Sequence, residues 1–111
     1  MDNVKNDSYY LGKILVDLRF MIDHTAGKTI EEMTRDELLM DSIMFRLIQI
    51  YENGAKLTTN FKNLHNEIPW HAIKGMRNRI VHDYGVMDTN IIYDTVTRSI
   101  PALYDALKIL L

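Results

Sequence analysis

No cysteine occurs in the chain, which excludes disulfides and thiolate metal sites. Prolines number two and glycines five in 111 residues. No stretch alternates apolar with polar residues for long, and that pattern favours helices. No apolar run approaches the length that crosses a bilayer, so no membrane partner is expected. Nor is there an excess of positive charge: 13 Lys and Arg stand against 15 Asp and Glu, a net charge of −2. Proteins that wrap duplex nucleic acid gain affinity mainly by neutralising phosphates with a broad basic surface. A DNA-binding helical regulator is therefore disfavoured, and any nucleic-acid contact must be local. The first seven residues, Met1 to Asp7, are polar and carry both charge signs, unlike a signal peptide. A cytoplasmic location is the simplest expectation.

Apolar residues make up 47% of the chain and charged residues 25%, the proportions of a globular protein. The length fits a single domain over residues 1–111. The spacing predicts four main helices. The first runs from about Ser8, a plausible N-cap, to His24, with Leu11, Leu15, Leu18 and Ile22 at helical spacing and Gly27 beyond its end. Thr29 to Met33 adds a short turn. The second starts near Thr34, which has capping-box spacing to Glu37, shows its faces through Leu38, Leu39, Ser42, Phe45, Ile48 and Gln49, and continues past Gly54 to about Leu64. Pro69 suits the start of the third, which reaches Asp83 before Gly85 stops it. The fourth begins at Asp88, buries Ile92, Val96, Leu103, Leu107 and Leu110, and is kinked or split by Pro101. Short links between long amphipathic helices imply an all-α, antiparallel up-and-down bundle. The seven methionines read as core filler.

The third helix carries the chemistry. Trp70, Ile73, Ile80, Val81 and Tyr84 fall near one apolar face. His71, Gly75, Asn78 and His82 fall on another line, at offsets of four, seven and eleven residues, which stack on a 3.6-residue helix. Such a line is a poor core stripe, and Gly75 weakens the helix unless another helix comes close there. Lys74, Arg77 and Arg79 lie between the two histidines with no acid among them, the local basic candidate. Arg77 and His82 project roughly 140° apart on a regular helix. One chain does not easily bring them together, but two copies of the helix across a two-fold axis can. His24, His65 and His71 show no paired metal spacing.

The block from Ile68 to Tyr84, Ile-Pro-Trp-His-Ala-Ile-Lys-Gly-Met-Arg-Asn-Arg-Ile-Val-His-Asp-Tyr, resembles the HepT-like branch of the HEPN superfamily. Its kernel is Arg, four residues, His, one residue, Tyr: here Arg77, His82 and Tyr84. Gly85 to Asp88, Thr25-Ala26-Gly27 and the late Pro101 extend the likeness over nearly the whole chain. One departure stands out: in Glu52-Asn53-Gly54-Ala55-Lys56, Asn53 occupies a place where Glu is common.

That resemblance implies a four- to five-helix HEPN bundle working as a homodimer, a cofactor-free and metal-independent endoribonuclease acting as the toxin of a toxin–antitoxin pair. The residue types suit the chemistry. RNA cleavage without a metal requires the 2′-hydroxyl deprotonated and the leaving oxygen protonated, and His82 can do either near neutral pH. Arg77 can hold the phosphate as it gains charge, and Asn78 can orient the phosphate or the imidazole. By the same resemblance Tyr84 is where a partner nucleotidyltransferase antitoxin attaches AMP, whose negative phosphates repel RNA. The alternative is a non-catalytic dimeric module that binds the nucleotidyltransferase or a nucleotide.

Overall fold

The computed structural model describes residues 5–111, apart from the side chain of Tyr84. Every regular element among them is helical: α1 (Asp7–Thr25), α2 (Ile30–Arg35), α3 (Glu37–Ala55), α4 (Thr59–Leu64), α5 (Trp70–Asp83), α6 (Thr89–Asp94) and α7 (Ile100–Lys108). A 3-10 turn, Tyr84–Val86, follows α5, and a π-helical turn, Thr95–Ser99, joins α6 to α7. The all-α expectation holds, with more and shorter helices than four.

The caps show where local sequence was misread. Asn6, not Ser8, caps α1, its side chain accepting from the Tyr9 N–H at 3.0 Å. The capping box belongs to Thr29 and Glu32 at the head of α2, not to Thr34 and Glu37. The Thr34 hydroxyl donates back to the Ile30 carbonyl, and Asp36 caps α3 instead. An anion at a helix N-terminus also meets the positive end of the dipole. Gly27 makes the turn after α1 with φ +73°, a conformation that costs residues with a Cβ. Gly85 has no positive φ, so α5 closes through the 3-10 turn rather than a left-handed glycine cap. The second predicted helix is two. It ends at Ala55, and α4 begins under a new cap, Thr58. Asp7 pins that break, accepting from the N–H and the hydroxyl of Thr58, both at 2.8 Å.

Asp88 caps α6 as expected. Pro101 lies in the first turn of α7, within a helical run that continues from α6 through the π-helical turn. The strain a proline places on the preceding helical turn coincides with the π-helical widening, in which the Ile100 N–H bonds to the Thr95 carbonyl.

One cluster of buried side chains joins the helices. Leu11, Ile14, Leu18 and Met21 come from α1, Leu39, Ile43, Met44, Leu47 and Ile50 from α3, and Ile92, Val96, Ile100, Leu103 and Leu107 from the C-terminal third. α1 and α3 run antiparallel: Asp7 meets Thr58 and Asp17 meets Arg46. Asp17 is 8% exposed and accepts from Arg46 Nη1 at 2.7 Å, while the same guanidinium lies 4.0 Å from the centre of the Phe20 ring. Truncating one partner of such a pair strands a charge and costs several kcal/mol, ~3–5 when fully buried. Of the positions that mark the faces of the second predicted helix, Leu39 is buried, whereas Leu38 is 83% and Phe45 58% exposed.

Candidate functional site

α5 packs on α3, antiparallel to it. Glu52, near the end of α3, meets Arg77 in mid-α5, while Met40 and Met44 lie toward Gly85 and Met87. α5 is held mostly along one edge. Ile80 is its one buried residue, with Trp70, Ile73 and Met76 half-buried against the core. Val81, expected on that apolar face, is 48% exposed.

Three neighbours hold the Arg77 guanidinium. Nε lies 3.3 Å from Glu52 Oε1. Nη1 donates to Asn78 Oδ1 at 3.2 Å. The guanidinium carbon lies 5.7 Å from the centre of the Tyr51 ring, within cation–π range. The Nε contact is a charge pair rather than a hydrogen bond, because that N–H is sealed from water yet not aimed at an acceptor. A guanidinium has five N–H donors, and among the described residues one of them finds a hydrogen-bond acceptor, Asn78 Oδ1. The side chain of Arg77 is 32% and that of Glu52 45% exposed. A pair this open contributes at most about 1 kcal/mol, so an incoming phosphate can compete for the cation.

The structure thus brings Arg77 and Asn78 together and leaves His82 apart. His82 is exposed in the last turn of α5, and no hydrogen bond, ion pair or ring contact joins it to a described residue. The angular separation read from the sequence persists in the folded chain. Asn78 serves Arg77 here, not the imidazole. His71, Gly75 and His82 are exposed and Asn78 half-buried, and a Cβ built on Gly75 meets nothing within 4 Å. Among the described residues, none covers His71, Gly75 or His82. Tyr84 opens the 3-10 turn, but its side chain, the expected modification site, lies outside the described residues. Among the described residues no three His, Asp or Glu side chains gather as metal ligands do.

Sequence reasoning missed Glu52 and Tyr51. It singled out Asn53, which is buried and donates from Nδ2 to the Gln49 carbonyl at 3.0 Å. The carboxylate that reaches Arg77 comes from the residue before it. A run of Tyr and Glu near a helix end carries no local sign of a partner 25 positions on. His65 and His24 stack on Phe61 and Phe20, at 4.7 and 4.2 Å between ring centres, as structural residues.

An all-helical bundle presenting Arg, Asn and His along one under-packed helix is the arrangement expected of a HEPN-type protein. Comparison with known proteins makes the assignment particular: residues 14–110 match the family described as "Ribonuclease HepT-like", and the chain belongs to it. A protein of Caldanaerobacter subterraneus subsp. tengcongensis named "Putative RNase" is 31% identical over 105 residues, 95% of this chain and 94% of that one. A "Probable ribonuclease HepT" of Thermococcus cleftensis is 32% identical over 87 residues, 70% of this chain and 79% of its own. No solved structure matches.

Proposed function

We propose that this chain is a metal-independent endoribonuclease, the toxin of a toxin–antitoxin pair, working as a single-domain homodimer in the cytoplasm. The observation that carries this reading is the division of α5. Arg77 and Asn78 form a half-exposed pair suited to a phosphate beside α3, while His82 stands exposed and without a partner among the described residues. Two antiparallel copies of α5 meeting along the line of Gly75, Asn78 and His82, and centred near its C-terminal half, would set the Arg77 of one toward the His82 of the other. No helix among the described residues is long and apolar enough to cross a membrane.

In the reaction the 2′-oxygen attacks the adjacent phosphorus and the bond to the 5′-oxygen breaks. A base takes the 2′-proton, an acid protonates the leaving oxygen, and a cyclic 2′,3′-phosphate and a 5′-hydroxyl result. An imidazole can fill either proton-transfer role. The guanidinium faces charge that develops on the non-bridging oxygens. Silencing follows if a nucleotidyltransferase antitoxin transfers AMP from ATP: the Tyr84 oxygen attacks the α-phosphorus, pyrophosphate leaves, and the phenolic proton goes to a base. The new phosphodiester carries negative charge beside the cleft.

Mixing experiments test the composite site. Arg77→Ala and His82→Ala should each lower cleavage of a single-stranded RNA at least about 100-fold, the usual scale for losing a proton-transfer or charge-stabilising group. Co-folded together, the two dead variants should regain about a quarter of wild-type activity, because half the dimers are mixed and each mixed dimer keeps one intact site. No recovery would place both groups in one chain. Activity surviving both single substitutions would remove Arg77 and His82 from the reaction, and a wild-type protein that cleaves no RNA would leave the non-catalytic dimeric module as the better account. Mass spectrometry after co-expression with the nucleotidyltransferase reads AMP on Tyr84 directly, and neutralisation without it would mean inhibition by binding alone.

A further inference from the structure

Beside the Arg77 cluster, the last turn of α3, α4 and the first half of α5 border an open groove of about 380 Å³, within the size range of small-ligand clefts. Three properties suit it to a nucleotide rather than to an apolar ligand. Its charged lining has one sign, Lys62 and Lys74, and no carboxylate lines it. Neither ammonium lies within ion-pair distance of an acid among the described residues. Trp70, His71 and Tyr51 supply aromatic surface. Trp70 is fixed in place, its Nε1 donating to the His65 carbonyl at 3.2 Å and its ring 6.5 Å from that of Phe61. Finally, the groove is continuous with the reaction site, because Tyr51 both lines it and lies against the Arg77 guanidinium.

We infer that this groove is a subsite for single-stranded RNA, seating the nucleotides on one side of the phosphate held by Arg77. The lysines take backbone phosphates and an aromatic ring takes a base. Alternating cations and ring faces is how proteins hold single strands without reading their sequence. A duplex does not fit the same surface, since the chain offers no broad basic face (net charge −2) to follow two strands. The subsite rests on the ribonuclease reading for its purpose, but its test does not depend on cleavage.

The test compares full-length protein carrying His82→Ala with the same protein also carrying Lys62→Gln and Lys74→Gln. Fluorescence anisotropy reads binding of a labelled ten-nucleotide single-stranded RNA across a salt series. Single-strand binding loses about 0.7 in the slope of log K against log salt per phosphate contact. The two substitutions should therefore flatten the slope by about 1.4 and weaken low-salt binding roughly tenfold or more. In the otherwise wild-type protein the same pair should raise KM for the ten-mer with kcat nearly unchanged, and leave KM for a dinucleotide unchanged, since a dinucleotide has no backbone phosphate beyond the scissile one for the lysines to take. An unchanged slope would overturn the subsite. So would equal losses on dinucleotide and ten-mer, which would put the lysines at the reacting phosphate. Intact RNA binding with loss of a protein partner would make the groove a docking surface instead. If the wild-type protein cleaves nothing yet the slope flattens, the ribonuclease reading fails and the RNA subsite stands.

Discussion

α1 and α5 read alike in the sequence, each an amphipathic helix with an apolar stripe, yet the fold uses them differently. α1 buries Leu11, Ile14, Leu18 and Met21 almost completely and adds a paired Asp17. α5 buries Ile80 alone. At about 1.5–3 kcal/mol for each fully buried large apolar side chain, α1 is anchored several times more strongly within the chain. α1 is scaffold. α5 leaves most of its surface exposed, and Arg77, Asn78 and His82 all sit on it.

The sharpest way to break that contrast is to truncate both helices. Leu18→Ala, at 0% exposure, should lose ~2–5 kcal/mol in urea unfolding, the transfer loss plus a cavity. Val81→Ala on α5 should lose less than about 0.5 kcal/mol in a chain held monomeric by dilution. The same Val81→Ala should lower the dimer's stability at high concentration if α5 is the shared surface. Equal losses at both positions under dilution would show that α5 is as deeply anchored as α1.

Gly75 gives a smaller effect that separates the same two ideas. In the single chain its Cβ position is open space, so Gly75→Ala should stabilise the isolated helix by up to about 1 kcal/mol, the helix-propensity difference. Gly75→Leu starts from the same open Cβ position on an exposed residue, and its larger side chain should block a close crossing between two copies. Sedimentation should then show monomers, with activity lost although His82 and Arg77 are untouched. A Gly75→Leu protein that stays dimeric and active would move the interface away from this line.

Periodicity and caps made the scaffold readable in part. The bounds of α1 and α5, the Asp88 cap and the disturbance before Pro101 follow from local chemistry. What stayed hidden depends on contacts distant in sequence. The break at Ala55 is fixed by Asp7, 51 positions from Thr58. Two Ser/Thr-x-x-Glu boxes, at Thr29 and Thr34, look equal until Asp36 takes the second helix. Helical spacing finds Leu38 and Phe45 without saying that their face points outward. At the site, Arg77, Asn78 and His82 were legible because their pattern is linear. Glu52 and Tyr51 were not, because only the antiparallel docking of α3 on α5 brings them to Arg77. Asp17 did leave a trace, an acid within the apolar stripe of α1, and such a residue should send a reader looking for its cation.

The smallest effect belongs to the scaffold alone and should leave the site untouched. The Thr29 N–H donates to Glu32 Oε1 at 2.9 Å, and that backbone hydrogen bond, helped by the Thr29 side chain, holds the Glu32 carboxyl below the ordinary value of 4.5. A depressed carboxyl binds fewer protons folded than unfolded. It adds stability above the unfolded value and loses that stability as pH falls through the folded one. Glu32→Gln keeps an acceptor for the capping box but removes the titration. Its urea midpoint should lie slightly below wild type near neutral pH and converge on the wild-type value as pH falls from about 5 to about 3. RNA binding by α5 at pH 7 should be identical in the two proteins. An effect on binding would mean that the α2 cap, far from the site in the chain, is coupled to it, and the division between scaffold and working helix would have to be redrawn.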